Sequence, residues 1–495
     1  MKTCNSPKWI MTLSLFVIAI FSRGAFAQET LNPFSVMSAA PHKLILLNHG
    51  LGSLEERLQM IDRAEKSIDV EYFIYRTDKS AKLFTQALVK KARQGVKVRM
   101  LLDYFMTKKD LSPFYAYELE KEGIEVKYFN ATSTLNILSG QYRNHRKLLL
   151  IDGNEIVTGG RNIGDEYFDL NKDYNFLDRE LHIEGELVKS IETTFNETFV
   201  ADKSQHVDRD RKPEVTDIKY RTEQGGRDEY QFGLELKAWY KKIADAKSFI
   251  NDAMDADTEN SIRNKGAEEL TKEYRGICNQ LSFHSEYPSI GKTNRLENRV
   301  IKHFLFDKIA KAEKTIMIDS PYFIVNDELA EAMDNAFDKN VDIKLLTNSL
   351  NSTDAIYVYA AFDSIAKKWL KKGLDSYIFK GQRPPSYEVI ENLSGEARFG
   401  VHAKTFVFDG KDSVIGTYNV DPRSANFNSE MIVSCENNPE LAGEVQKDID
   451  SRMAESIHLN STKAISDAEF YQTSFKKKLL YYIVKIPSNI FGFLL

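Results

Sequence analysis

The stretch NHRKLLLIDGNEIVTGGRN, beginning at Asn144, returns as VHAKTFVFDGKDSVIGTYN, beginning at Val401. Histidine, lysine, aspartate-glycine, a glycine and an asparagine fall at the same offsets in both. A chain that carries one long pattern twice is constrained to fold as two related halves, and 495 residues suffice for two cores. Other segments echo as well. IDRAEKSIDVEYFI (Ile61 to Ile74) matches IAKAEKTIMIDSPYFI (Ile309 to Ile324), each an amphipathic helix that runs into an apolar strand ending in Tyr-Phe-Ile. A second helix and strand follow in both copies, LFTQALVKKARQGVKVRMLLD and LAEAMDNAFDKNVDIKLLTN, with Gly95 and Asn340 at the helix exits, where a left-handed residue is favoured. Matching points lie 245 to 257 residues apart, the drift expected of two divergent copies with unequal loops. Helix alternating with apolar strand predicts an α/β fold, a duplicated sandwich whose sheets are largely buried.

Composition decides what surrounds the copies. Lys2 and Lys8 precede the apolar run from Trp9 to Phe21, and Ala25 and Ala27 flank Phe26. The run is short for a bilayer span, and the segment reads as a signal peptide over residues 1–27, with an uncleaved anchor as the alternative. Export to a bacterial periplasm or cell envelope is the expectation. Cleavage removes Lys2, Lys8 and Arg23 and no acid, which takes the formal charge three units below −5. Such a chain is a poor general binder of nucleic acid, and none is expected as a partner. Cys4 leaves with the segment. Cys278 and Cys435 remain, free to pair in an oxidising compartment or to stay as buried thiols. The first copy is assigned to residues 28–200, a charged helical insert to 201–298, the second copy to 299–470 and an apolar, basic C-terminal segment to 471–495.

The chemistry sits on the repeated pattern. Read as strands, HRKLLLID and HAKTFVFD put His145 with Lys147, and His402 with Lys404, on one face each. Asp152-Gly153 and Asp409-Gly410 are hairpin signals. Those two aspartates fall on the opposite face from the histidines, so a turn-forming or lysine-orienting role comes before a catalytic one. The returning strands deliver Asn162 and Asn419, suited to phosphate oxygens. Asp178 and Glu430 follow, each seven residues before the Gly185 or Asn437 that ends its strand, and are candidates to hold a histidine in one tautomer. Two lysines that neutralise a substrate anion and two imidazoles that divide the roles of nucleophile and general acid fit phosphodiester cleavage through a phosphohistidine. A lysine two residues from each histidine argues against a divalent metal, and no metal or cofactor is expected. His49, His182 and His303 lack a repeated context and are read as structural.

On these residues the chain resembles the phospholipase D superfamily with two HKD motifs. GGRNIGDEYF, LLTNSLNSTD (Leu345 to Asp354) and GTYNVDPRSANFNSE are similar to bacterial cardiolipin synthases of the C type. The resemblance covers about Leu44 to Val200 and Glu297 to the C-terminus. One departure is Glu180, where that branch usually carries aspartate. The resemblance implies two sheet-plus-helix halves packed as a pseudo-dimer with one active site between them. His145, Lys147, Asp152, His402, Lys404 and Asp409 would then be the catalytic set, with His145 as nucleophile. Asn162 and Asn419 would hold phosphate, and Asp178 and Glu430 would orient the histidines. The implied reaction is transfer of a phosphatidyl group between glycerophospholipids. A phospholipase D that releases phosphatidic acid is the first alternative and a metal-independent nuclease the second. FKKKLLYYIVKIPSNIFGFLL at the C-terminus is read as an interfacial segment that contacts the membrane holding the phospholipid substrate, or else as a helix packed on the second half.

Overall fold

In the computed structural model, which describes residues 34–131, 141–214, 229–287, 299–460 and 473–490, both Asp-Gly pairs form the expected turns. Asp152 and Gly153 have φ of 54° and 67°, and Asp409 and Gly410 have 52° and 65°, successive left-handed residues in the short loops that join Ile151 to Glu155 and Phe408 to Asp412. Gly95 and Asn340 are likewise left-handed, after helices Lys79–Arg93 and Asp327–Asp338. The segment read as a signal peptide, with Cys4, lies outside the described residues.

Each copy builds a nine-stranded mixed sheet. From edge to edge the first runs β10 (Ser204–Gln205), β5 (Ile124–Phe129), β4 (Lys97–Asp103), β3 (Ser67–Tyr72), β6 (Leu148–Ile151), β7 (Glu155–Gly159), β9 (Glu180–Glu184), β2 (His42–Leu47) and β11 (Tyr274–Cys278). The second runs β20 (Ser456–Leu459), β15 (Asp375–Phe379), β14 (Asp342–Asn348), β13 (Thr315–Asp319), β17 (Thr405–Phe408), β18 (Asp412–Gly416), β19 (Met431–Cys435), β12 (Leu281–Ser285) and β1 (Ser35–Ser38). The orders correspond strand for strand. Side chains of β6 show why its run LLLI is apolar throughout: Leu148 and Leu150 enter a core shared by both sheets, and Leu149 and Ile151 enter the first copy's outer core. The shared core also takes Met317, Leu346, Val407 and Val433 from the second sheet, so the two sheets face each other across it.

Three findings refine the sequence reading. First, β11 and β12 lie within residues 201–298, the stretch read as an insert, and β12 takes the place in the second sheet that β2 holds in the first. The copies exchange strands here. β1, which precedes β2 in the chain, is the edge of the second sheet, and β11, which precedes β12, is the edge of the first. Cys278, at the end of β11, is disulfide-bonded to Cys435 of β19, which staples one sheet to the other. Second, the helix Ala256–Lys272 is not merely solvated. Gly266 lets it approach helix Gly50–Arg63, where an added Cβ would lie 2.8 Å from the carbonyl oxygen of Leu51. Third, the Tyr-Phe-Ile echo is out of register. Glu71 pairs across the sheet with Leu148, and Asp319 with Thr405, so the copies align at a spacing of 248 residues here and Tyr322 stands where Ile74 stands.

A two-stranded parallel sheet closes the structure between the halves, β8 (Tyr174–Leu177) from the first and β16 (Arg398–Val401) from the second.

Candidate active site

Both His-x-Lys segments lie just before their strands, which begin at Leu148 and Thr405. Their backbone has left its own sheet for the other half. The amide of His145 donates to the Ser429 carbonyl (2.9 Å), and that of His402 donates to the Leu177 carbonyl (2.8 Å). Ser429 and Leu177 each immediately precede an acid. His145 Nδ1 is 2.7 Å from Glu430 Oε2, and His402 Nδ1 is 2.6 Å from Asp178 Oδ2. Asp178 and Glu430 thus hold histidines, as their positions suggested, but crosswise: each acid serves the histidine of the other copy. Both carboxylates are fully buried and ionised, so each accepts the Nδ1 proton and leaves Nε2 as the free ring nitrogen.

What surrounds the acids explains the small residues after each hairpin. A Cβ at Gly160 would meet Asp178 Oδ1 at 2.0 Å, and one at Gly416 would meet the Met431 carbonyl oxygen at 2.3 Å. The second copy has Thr417 where the first has Gly160, and its hydroxyl donates to Glu430 Oε2 (2.5 Å). Ser424 Oγ (2.8 Å) and Asn428 Nδ2 (3.0 Å) donate to the other oxygen. Glu430 is therefore satisfied by hydroxyls and an amide, and Asp178 by the Arg179 amide (2.8 Å).

The two histidines line one cavity of about 690 Å³ together with Asn162, Asn419, Tyr167 and Tyr322. Phe73 packs edge-on against His145 (centroids 4.6 Å), and Phe176 lies tilted against His402 (4.6 Å). Asn162 accepts from the Ile74 amide through Oδ1 (3.0 Å), which leaves its NH2 to donate. Among the described residues, the buried amide oxygen of Asn419 has no hydrogen-bond partner. The lysines sit behind the histidines rather than on the cavity wall, 1% and 2% exposed. Lys147 Nζ donates to the His145 carbonyl (2.7 Å) and lies over the Phe73 ring. Lys404 Nζ donates to the His402 carbonyl and stands 3.0 Å from His402 Nδ1.

The electrostatics follow from burial. Two ammoniums and two carboxylates balance while both imidazoles are neutral. Desolvation, with the charges of Lys147 and Lys404, outweighs Glu430 and pushes His145 down to about 4. Burial and Lys404 also lower His402. Burial lowers Lys147 to about 7 and Lys404 to about 8, against the pull of Glu430 and Asp178. Burial acts to raise the two carboxyls, yet their histidine and lysine partners hold both below the ordinary carboxylate range. A phosphodiester entering the cavity adds one negative charge, which favours a proton on one imidazole.

Asp152 and Asp409 are not brought to this site. Asp152 accepts from the amides of Glu65, Lys66 and Ser67 (2.9, 2.7 and 2.7 Å), and Asp409 from those of Glu313, Lys314 and Thr315 (3.2, 2.7 and 3.1 Å). Each carboxylate ties its hairpin to the preceding helix exit, and the catalytic role that the motif implied for the pair is corrected to a structural one. Glu180 is structural too, buried between Ser53, Arg57 and Arg161. His182 lies 2.9 Å from Glu155, and His49 3.2 Å from Glu273. Among the described residues, the groupings with metal-ligand geometry are Glu155, His182 and Glu184, and Glu268, Glu269 and Glu388, none of which lines the cavity. Tyr322 and Asp354, joined by hydrogen bonds of 3.1 and 3.0 Å, and Arg143 and Arg423 line the cavity but were not singled out from sequence, because all four lie outside the paired His-to-Asn motifs.

The family model described as cardiolipin synthase, PLD-like domain, matches residues 58–199 and 305–453. An uncharacterised protein of Helicobacter pylori strain J99 is 30% identical over 434 residues, 84% of this chain and 80% of that protein. Cardiolipin synthase C of Escherichia coli K12 is 28% identical over 401 residues, 78% of this chain and 80% of that one. Among solved structures, a phosphatidylserine synthase of Haemophilus influenzae superposes with a TM-score of 0.61 at 14% identity, covering 91% of this chain and 95% of that one.

Proposed function

The chain belongs to the cardiolipin synthase, PLD-like domain family and is an enzyme of the phospholipase D type; from that premise we propose that it transfers a phosphatidyl group from one glycerophospholipid to the hydroxyl of another through a phosphohistidine. One observation carries the reading: two imidazoles share a cavity, each with Nδ1 held by a buried carboxylate from the opposite copy and Nε2 left for chemistry.

His145 is the nucleophile, since Lys147, Lys404 and burial keep its lone pair unprotonated. Its Nε2 bonds to phosphorus as the bond from phosphorus to the headgroup oxygen breaks. His402, protonated in response to the bound anion and steadied by Asp178, gives its Nε2 proton to that oxygen. Neutral His402 then takes the proton of an incoming hydroxyl, whose oxygen displaces Nε2 of His145 from phosphorus. The amides of Asn162 and Asn419 donate to the non-bridging oxygens, and Lys147 and Lys404 supply positive potential from behind the rings, the electrostatic part of phosphoryl-type catalysis. An acceptor alcohol yields a new phospholipid; water in its place yields phosphatidic acid.

Membrane contact through the helix Phe475–Ile490 is part of this reading. Tyr481, 1% exposed, fixes it by donating to Asp363 (2.5 Å). Its opposite face exposes Phe475, Leu479, Tyr482, Ile483 and Ile486, a stripe at helical spacing, beside Lys476 and Lys478. Among the described residues no helix is long and apolar enough to cross a membrane. An envelope location outside the cytoplasm is supported by the N-terminal composition and by the Cys278–Cys435 disulfide, a bond of oxidising compartments; recovery in the envelope fraction checks it.

The test is a lipid assay. Purified protein with labelled phosphatidylglycerol, in the presence of EDTA, is expected to form cardiolipin, and His145→Ala or His402→Ala to abolish it. Phosphatidic acid as the sole product would replace the transferase reading with a hydrolase, and turnover that survives His145→Ala would remove the phosphohistidine.

A further inference from the structure

One wall of the cavity carries two arginines with no role in the chemistry above. Arg143 precedes His145 by two residues and Arg423 follows Asn419 by four, so both are anchored on the segments that hold the site. The Arg143 guanidinium lies 4.3 Å from the centroid of the Phe105 ring, and its carbonyl accepts from the Ser429 amide (2.8 Å). Arg423 spans Gln141, with Nη1 donating to Oε1 (3.1 Å) and Nη2 to the carbonyl (3.1 Å), which sets the plane of its fork. Among the described residues neither guanidinium has a carboxylate oxygen within 4.0 Å. That is unlike Arg57, Arg146, Arg161 and Arg179, each of which is ion-paired. Burial lowers the pKa of Arg143 against the pull of Asp103, and Arg423 adds a like charge. Two carboxylates share the cavity with them: Asp354 is engaged by Tyr322 and acts on His402 and Lys404, and Asp421 accepts from the Ser424 amide (2.7 Å) and acts on Arg423 without pairing with it.

We propose that Arg143 and Arg423 form a second anion subsite, which holds the phosphodiester of an acceptor phospholipid while the first phosphate is bonded to histidine. This rests on the transfer reading above and deepens it. Water brings no charge to that wall, whereas an anionic lipid brings one phosphodiester to the histidines as donor and another as acceptor. Two guanidiniums beside the reacting centre select the second and so favour lipid over water at the step that consumes the intermediate.

The product ratio tests this. With labelled phosphatidylglycerol as donor and ethanol added, cardiolipin and phosphatidylethanol partition from one common intermediate, which cancels effects on donor binding and on the fraction of folded protein. In Arg143→Gln and in Arg423→Gln the ratio of cardiolipin to phosphatidylethanol should fall on the order of tenfold, as for loss of a charge-assisted hydrogen bond. A ratio within twofold of the unsubstituted protein, or two products that decline in step, overturns the subsite. Should the unsubstituted protein transfer to neither acceptor, the transfer reading itself fails. Calorimetry with glycerophosphoglycerol then decides on the subsite alone. Two molecules bound per chain in His145→Ala and one after adding both arginine substitutions supports it, and equal stoichiometry refutes it.

Discussion

Residues that would be ordinary in water are made reactive here by dry surroundings. Lysine in water keeps its proton to about pH 10.4, yet Lys147 and Lys404 titrate at about 7 and about 8. In the proposed reaction their ammonium charge attracts the phosphate, so raising the pH through that range removes it. His145 must there be unprotonated to attack, and lowering the pH toward about 4 removes that condition. We expect kcat/KM to be bell-shaped, with its alkaline limb between pH 7 and 8, the limbs belonging to the coupled cluster rather than to single groups. A profile level up to pH 10 would show that the lysine charges are not what limits phosphate capture. Motif spacing made the histidines, asparagines and orienting acids legible. It also put a turn role first for Asp152 and Asp409, against the catalytic one that the resemblance implied, and the amides of residues 65–67 and 313–315 show which of the two the chain uses.

The hairpin β6–β7 and its counterpart β17–β18 deliver the same chemistry through different fittings. In the first copy Gly160 leaves room for Asp178; in the second, Thr417 takes that room and bonds the longer Glu430. The prediction at this scale is Gly160→Ala. Its Cβ would stand 2.0 Å from Asp178 Oδ1, so the carboxylate must leave His402. Activity should fall by roughly a hundredfold or more, as when a catalytic histidine loses its carboxylate partner, while far-ultraviolet circular dichroism stays unchanged. Retained activity would mean that Asp178 is not needed to orient His402. The exchange of β1 and β11 between the sheets was hidden at this same scale, since a short apolar strand does not announce which sheet edge it will join.

Across the whole molecule, the reacting cavity and the apolar helix lie side by side. Lys477, on the helix Phe475–Ile490, donates to the carbonyls of Asn351 (3.0 Å) and Thr353 (2.7 Å), and the next residues, Asp354, Ala355, Tyr357 and Val358, line the cavity. A helix bedded in headgroups at that point would bring the cavity close to its substrate. Ile483→Glu with Ile486→Glu alters residues 61% and 70% exposed and should leave the fold intact. It should reduce the fraction sedimenting with phosphatidylglycerol vesicles several-fold, since each buried isoleucine contributes about 1.5–3 kcal/mol. Undiminished sedimentation would assign membrane contact to another surface.

By itself the sequence determined the duplication, the α/β class, the two hairpins and the residues that meet at the candidate site, because each of these depends on local periodicity, turn chemistry or an exact repeat. Tertiary structure alone decided how the copies complete one another. Glu430 and Asp178 serve the histidine of the opposite half, β1 and β11 change sheets, Cys278 bonds Cys435, and Arg143 and Arg423 meet on one wall. The physical reason is that a buried carboxylate, a strand edge or a guanidinium must be satisfied by whatever packing brings near it. In a two-fold arrangement that neighbour lies more than two hundred residues away for both histidines, beyond the reach of any local pattern.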